Sequence, residues 1–180
     1  MILQQYKIVF AGSMGAGKTE AIRSLSDVPV LLTEAFNTDQ QSHNKMETTV
    51  GIDYGEVTLE DGIKIGLYGT PGQSRFDFIW SVICKGAIGA IILIDHTVEN
   101  PIEELENYLD TFQNHTDNIA IGITHTDVDN TKSTLIYKDW LISQDLYSPL
   151  FFIDARKKED ALLLLEALIT SVEVNHQITA

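Results

Sequence analysis

The stretch Gly12-Ser13-Met14-Gly15-Ala16-Gly17-Lys18-Thr19 constrains this chain more than any other, because it fits the spacing G-x-x-x-x-G-K-[ST]. A short β-prone run, Tyr6-Lys7-Ile8-Val9-Phe10-Ala11, precedes it, and the residues from Glu20 to Ser26 read as a helix. A strand, a glycine-rich loop and a helix N-terminus in that order build a cradle for phosphate. The glycines let backbone N–H groups turn inward, and the helix end adds unsatisfied donors and positive partial charge. Residues Gly12, Ser13, Met14, Gly15, Ala16 and Gly17 are expected to wrap the phosphates. Lys18 is expected to reach the β- and γ-phosphates, and the Thr19 hydroxyl to ligate Mg²⁺. The pattern implies nucleotide binding.

The rest of the chain alternates strands and helices. A polar segment from Val28 to Thr48 has little periodicity and reads as a long loop. Residues 51–60, the turn Asp61-Gly62 and residues 63–68 read as a β-hairpin. Residues 75–85 read as a helix, and the continuous apolar run 87–94 as a strand buried on both faces. Pro101 opens a helix near Glu103; 119–124 reads as a strand, 135–144 as a helix, 150–153 as a strand and 159–174 as a last helix. This order implies one α/β domain over 1–180, with a mainly parallel sheet and helices on both faces. Ligands in such sheets bind at the carboxyl ends of the strands, where the first loop sits.

Charge and cysteine usage exclude several classes. Twelve Lys and Arg against 26 Asp and Glu leave a formal charge of −14, which repels nucleic acid and anionic lipid. The one cysteine, Cys84, excludes an internal disulfide framework and reads as a packed thiol. There is no signal-peptide pattern, no apolar stretch of membrane-spanning length, and no myristoylation or prenylation motif. A cytoplasmic protein without a membrane anchor is therefore expected. His43, His96, His115 and His176 have no metal-ligand spacing and read as surface or loop residues; Glu103, Glu104, Glu106 and Asp110 read as a solvated helix face.

Four later loops carry chemistry in an order that resembles the Ras-like small GTPases. Thr48-Thr49-Val50-Gly51 is similar to their switch I, which implies that Thr49 binds Mg²⁺ and senses the γ-phosphate. Gly69-Thr70-Pro71-Gly72-Gln73-Ser74-Arg75-Phe76 is similar to switch II, usually D-x-x-G-Q. The resemblance implies that the Gly72 N–H meets the γ-phosphate and that Gln73 orients the attacking water. It makes Gln73 and Lys18 the expected catalytic residues. Gly69 stands where the family has a metal-holding Asp, and glycine offers no acceptor. Thr19 and Thr49 are then the expected metal ligands, with phosphate oxygens and water completing the shell. Asp95, ending the run Ile91-Ile92-Leu93-Ile94, superficially matches a metal-binding acid but reads better as a loop cap.

Thr124-His125-Thr126-Asp127 stands where the family has N-K-x-D, and Asp154-Ala155-Arg156 where it has S-A-K. The resemblance places Thr124, His125, Asp127, Ala155 and Arg156 around a guanine. Asp127 would accept from guanine N1–H and the 2-amino group, which adenine does not offer there. The form Gly-Thr-Pro-Gly-Gln looks most like the bacterial gliding-motility and cell-polarity GTPases. That branch implies motility, pili or polarity as the setting and a roadblock-domain regulator beside effector proteins. The family implies a P-loop NTPase fold, a Ras-like three-layer sandwich with a mainly parallel six-stranded sheet and one antiparallel strand. Its cofactors would be GTP or GDP with Mg²⁺, and its action that of a slow GTPase switch. The alternative is a scaffold that binds GTP without hydrolysing it. Arg75 is the nearest arginine to the expected catalytic glutamine, and Met14 puts a long side chain where a partner's arginine would enter.

Overall fold

A computed structural model describes residues 5–36, 49–72, 79–129 and 131–179. β1 (Gln5–Ala11) leads through the glycine-rich loop into α1 (Lys18–Leu25). β1 is apolar on both sides because both of its faces are covered. Ile8 and Phe10 pack with Ile22 and Leu25 of α1 and with Leu164, Leu165 and Leu168 of α5 (Lys158–Thr179). Val9 and Ala11 point the other way. There they join residues of α2 (Trp80–Ile83), α3 (Pro101–Phe112) and α4 (Leu135–Ser143). Strand periodicity of two thus sorts one run into two cores and makes three layers. The hairpin β3 (Thr49–Thr58) and β4 (Lys64–Gly69), the strand β5 (Gly89–Asp95), β6 (Ile119–Thr124) and β7 (Leu150–Phe152) lie close to where the hydrophobic pattern places them.

The sheet runs β2-β3-β4-β1-β5-β6-β7. β4, β1, β5, β6 and β7 are mutually parallel, and β3 is antiparallel to β4. The Ras-like sandwich is as expected, but the described sheet has seven strands, not six. The additional one, β2 (Leu31–Phe36), falls in the segment read as a loop and pairs antiparallel with β3. Its pairing partner explains the miss. β2 is an edge strand held by pairing with β3, and its first two residues, Leu31 and Leu32, are 56% and 73% exposed, so no buried face at its start marks it.

Two further readings change or sharpen on burial. His96 is fully buried instead of lying at the surface: its Nδ1 is 2.8 Å from the Tyr137 hydroxyl and its Nε2 is 3.4 Å from the Lys132 carbonyl. A polar ring is tolerated there because both nitrogens have partners. Cys84 is buried as read, and burial pushes its thiol pKa up to about 11, away from the reactive thiolate.

Parallel strands bring their carboxyl ends to one edge of the sheet. The loops after β1, β4, β5, β6 and β7 therefore gather there, and the antiparallel β3 delivers its N-terminal half to the same edge. Asp53, in the middle of β3, pairs with Gly69 at the last position of β4.

Candidate functional site

The glycine-rich loop is held in place by contacts only glycine permits. Gly12 has φ +141°, and a Cβ there would stand 2.2 Å from the Leu93 carbonyl oxygen. Gly17 caps α1 at its N-terminus, where a Cβ would meet the Ala155 methyl at 2.9 Å. The loop after β7 is thereby packed directly against the phosphate loop. Ala16 is buried, and its N–H donates to the Ser13 carbonyl at 3.2 Å. The Ser13 hydroxyl is buried without a hydrogen-bond partner among the described residues. Met14 is 76% exposed at the outer rim.

Lys18 lies under the loop. Its Nζ donates to the Gly12 and Ser13 carbonyls, both at 2.7 Å. Burial lowers its pKa to about 8, partly opposed by the negative charges of Asp53 and Glu104. Glu104 does not lie on a solvated face as read: one of its carboxylate oxygens is buried without a partner among the described residues. The first turn of α3 points it toward the loop rather than outward. The Thr19 hydroxyl donates to the carboxylate of Asp53. Pattern reading missed both acids. An acid inside the β-prone run Gly51-Ile52-Asp53-Tyr54 was the available signal for Asp53; Glu104 is hidden among neighbouring acids.

On the other side of the loop, Gly15, Gly17, Thr124, His125, Asp127, Asp154, Ala155 and Arg156 are among the residues lining one cleft, of about 590 Å³ counted to its open mouth. That size suits a base and sugar. Thr124 is buried, with its hydroxyl 3.0 Å from the Ala16 carbonyl oxygen and 3.3 Å from that of Ile94, which straps β6 to the phosphate loop. His125 adopts φ +58°, and its Nδ1 sits 3.0 Å from the Thr124 hydroxyl and 3.4 Å from Asp95. Arg156 makes a two-pronged pair with Asp154, with both contacts at 2.8 Å. Those bonds hold the Asp154 carboxyl down to about 2. The pair shapes the loop around Ala155.

Asp95 serves as the loop cap it was read to be: its carboxylate accepts from the Thr97 N–H at 2.8 Å and the Thr97 hydroxyl at 2.7 Å. Gly72 lies against the phosphate loop so closely that a Cβ would stand 2.4 Å from the Met14 nitrogen. Gln73 and Arg75 fall outside the described residues, as do His43 and the side chains of Thr49 and His176. Thr49 is described only as the first residue of β3, paired with Phe36. No helix among the described residues is long and apolar enough to cross a membrane.

The Ras family model matches residues 7–140. Among curated proteins, the chain is 30% identical over 120 residues to the Ras-related protein RABA1b of Arabidopsis thaliana, covering 64% of this chain and 50% of that one. It is 33% identical over 113 residues to the Ras-related protein Rab-8A of Gallus gallus, covering 61% and 49% respectively. An uncharacterized protein of Methanocaldococcus jannaschii, MJ1339, is 29% identical over 136 residues, covering 74% and 78%. The match thus spans about half the length of these Rab relatives. The similarity to Rab-type proteins overturns the expected bacterial gliding-motility and cell-polarity branch. Gly-Thr-Pro-Gly-Gln is a five-residue resemblance, whereas the Rab similarity extends over more than a hundred residues. The roadblock-domain regulator followed from that branch alone and loses its basis with it.

Proposed function

The chain belongs to the Ras family, and from that we propose that it is a Rab-type guanine-nucleotide switch, binding GTP with Mg²⁺ and hydrolysing it slowly to GDP. The observation that carries this reading is the junction of two half-sites. The phosphate loop closes on Lys18 and Thr19 on one side, and the cleft beneath it gathers His125, Asp127 and Ala155 on the other. The chemistry of the donor set fits a nucleotide. Lys18 is a buried ammonium whose partners are two loop carbonyls, and the Ser13 hydroxyl beside it is a buried polar group without a hydrogen-bond partner among the described residues.

In the proposed complex, Lys18 moves from those carbonyls to the β- and γ-phosphate oxygens, and Thr19 and Thr49 hold Mg²⁺. Bound Mg²⁺ supplies charge neutralisation at the phosphates. Asp127 accepts from the guanine N1–H and 2-amino group, the Ala155 N–H donates to O6, and His125 covers the base. Thr124 and Arg156 hold the two base-side loops. The Gly72 N–H meets the γ-phosphate, and Gln73 orients the attacking water. Loss of the γ-phosphate releases the segments around Thr49 and Gly72 and changes affinity for effector and regulatory proteins. We place the switch in the cytoplasm.

A GTP-binding scaffold without turnover is the second reading, favoured by the missing carboxylate at Gly69. Single-turnover hydrolysis separates the two. The wild type is expected to convert bound GTP slowly, and Gln73→Leu to be about a hundredfold slower, because losing the group that orients the water misplaces the nucleophile. An unchanged rate removes Gln73 from the mechanism, and stable GTP binding without any turnover selects the scaffold.

A further inference from the structure

We propose that Asp53 supplies the metal-site carboxylate that Gly69 lacks, holding a water of the Mg²⁺ shell from β3 instead of from β4. The inference rests on the guanine-nucleotide reading above. Asp53 and Gly69 are directly opposed across the β3–β4 ladder, so their side-chain positions share one face. Space at Gly69 is tight: a Cβ there would lie 3.0 Å from the Ile22 Cδ1, 3.1 Å from the Asp53 Cβ and 3.2 Å from its Oδ2. The carboxylate at this pair of positions comes from Asp53.

The contact with Thr19 gives that carboxylate its direction. A threonine hydroxyl has one proton and two lone pairs. Donating the proton to Asp53 leaves both lone pairs of the Thr19 oxygen for a cation. A carboxylate hydrogen-bonded to a direct ligand stands one shell out, which suits Mg²⁺ because that ion keeps several of its waters. Among the described residues no group of three or more His, Cys, Asp or Glu side chains could hold a metal ion. A lone acid beside Thr19, completed by water and phosphate oxygens, fits that setting.

The test measures release of a fluorescent GDP analogue from the full chain as free Mg²⁺ is varied. Asp53→Asn keeps the shape and removes the charge, and it should raise the Mg²⁺ concentration giving half-maximal retention by about tenfold or more, the usual effect of removing an outer-shell partner. Release in excess EDTA should match the wild type, which a merely structural role would not predict. The exchange variant Asp53→Gly/Gly69→Asp returns a carboxylate from the opposite strand and should bring the midpoint back toward the wild type. The proposal is overturned if Asp53→Asn keeps the wild-type midpoint. It is also overturned if release in EDTA speeds up as much as release in Mg²⁺, or if the exchange variant retains nucleotide no better than Asp53→Gly alone. If the wild type binds no guanine nucleotide, the functional reading fails as well, so the two failures are distinguishable.

Discussion

Replacing Lys18 with methionine is expected to weaken GDP and GTP binding by about a hundredfold or more, while the melting temperature of the nucleotide-free protein changes by only a few degrees. Removing one member of a buried, hydrogen-bonded charge pair costs about 2–5 kcal/mol of affinity, and each 1.4 kcal/mol is tenfold. The free protein has little to lose. Burial lowers the Lys18 pKa from 10.5 to about 8, which sets about 3 kcal/mol against the folded state. Two bonds from the ammonium to the Gly12 and Ser13 carbonyls offset it, at about 1.5 kcal/mol or more each.

The same shift gives binding and stability opposite pH slopes. Between about pH 8 and 10.5 an unfolded chain holds the Lys18 proton more firmly than the folded free protein does, so this group's contribution to stability rises with pH. A bound phosphate holds the proton on, so affinity is complete below about pH 8 and falls above it. Titration calorimetry and thermal unfolding across about pH 7–10 check both slopes. Both should vanish in Lys18→Met. Wild-type affinity in that variant would mean that the ammonium faces away from the ligand.

Gly12→Ala is expected to lower the melting temperature by on the order of 10 °C. Two costs combine at this position. The backbone has φ +141°, and the added methyl would stand 2.2 Å from the Leu93 carbonyl oxygen and 3.2 Å from its carbon. Leu93 lies in β5, registered against Gly122 of β6 and one residue past the end of the β1 ladder at Ile92, so moving its carbonyl away disturbs the β5–β6 pairing. Strained backbone and overpacking each cost about 1–3 kcal/mol, and a domain of this size loses about 2–4 °C per kcal/mol. Gly62 provides the comparison: it has φ +84° in the turn between β3 and β4, and a methyl added there would meet nothing within 4 Å. Gly62→Ala carries the backbone cost alone and should lose less than half as much, as read by thermal unfolding followed by circular dichroism.

The parts of the fold read correctly from the sequence are those whose cause is local. β5 and β6 are continuous apolar runs because both faces are buried, and Gly12–Thr19 has a spacing that works in only one backbone arrangement. What escaped was caused by partners distant in sequence. β2 depends on pairing with β3, His96 is buried by Tyr137 forty-one residues later, and Glu104 is drawn inward toward the phosphate loop. An acid in a β-prone run marks Asp53 as unusual, but its partner is likewise distant in sequence. Its relation to Thr19 arises from the antiparallel register of β3, which no pattern within the strand encodes. The glycine at position 69 read as a deficit, and the opposite strand turns it into the space another side chain needs.

Competition for the base cleft tests the central claim most directly. The purified full chain, holding a fluorescent GDP analogue, is titrated with GTP and with ATP in the same Mg²⁺ buffer. A base site built on Asp127 rewards the guanine N1–H and 2-amino donors and leaves a carboxylate unpaired against adenine. GTP should therefore displace the analogue at concentrations at least about a hundredfold lower than ATP does. Equal displacement by ATP would contradict the assignment of a guanine-nucleotide switch.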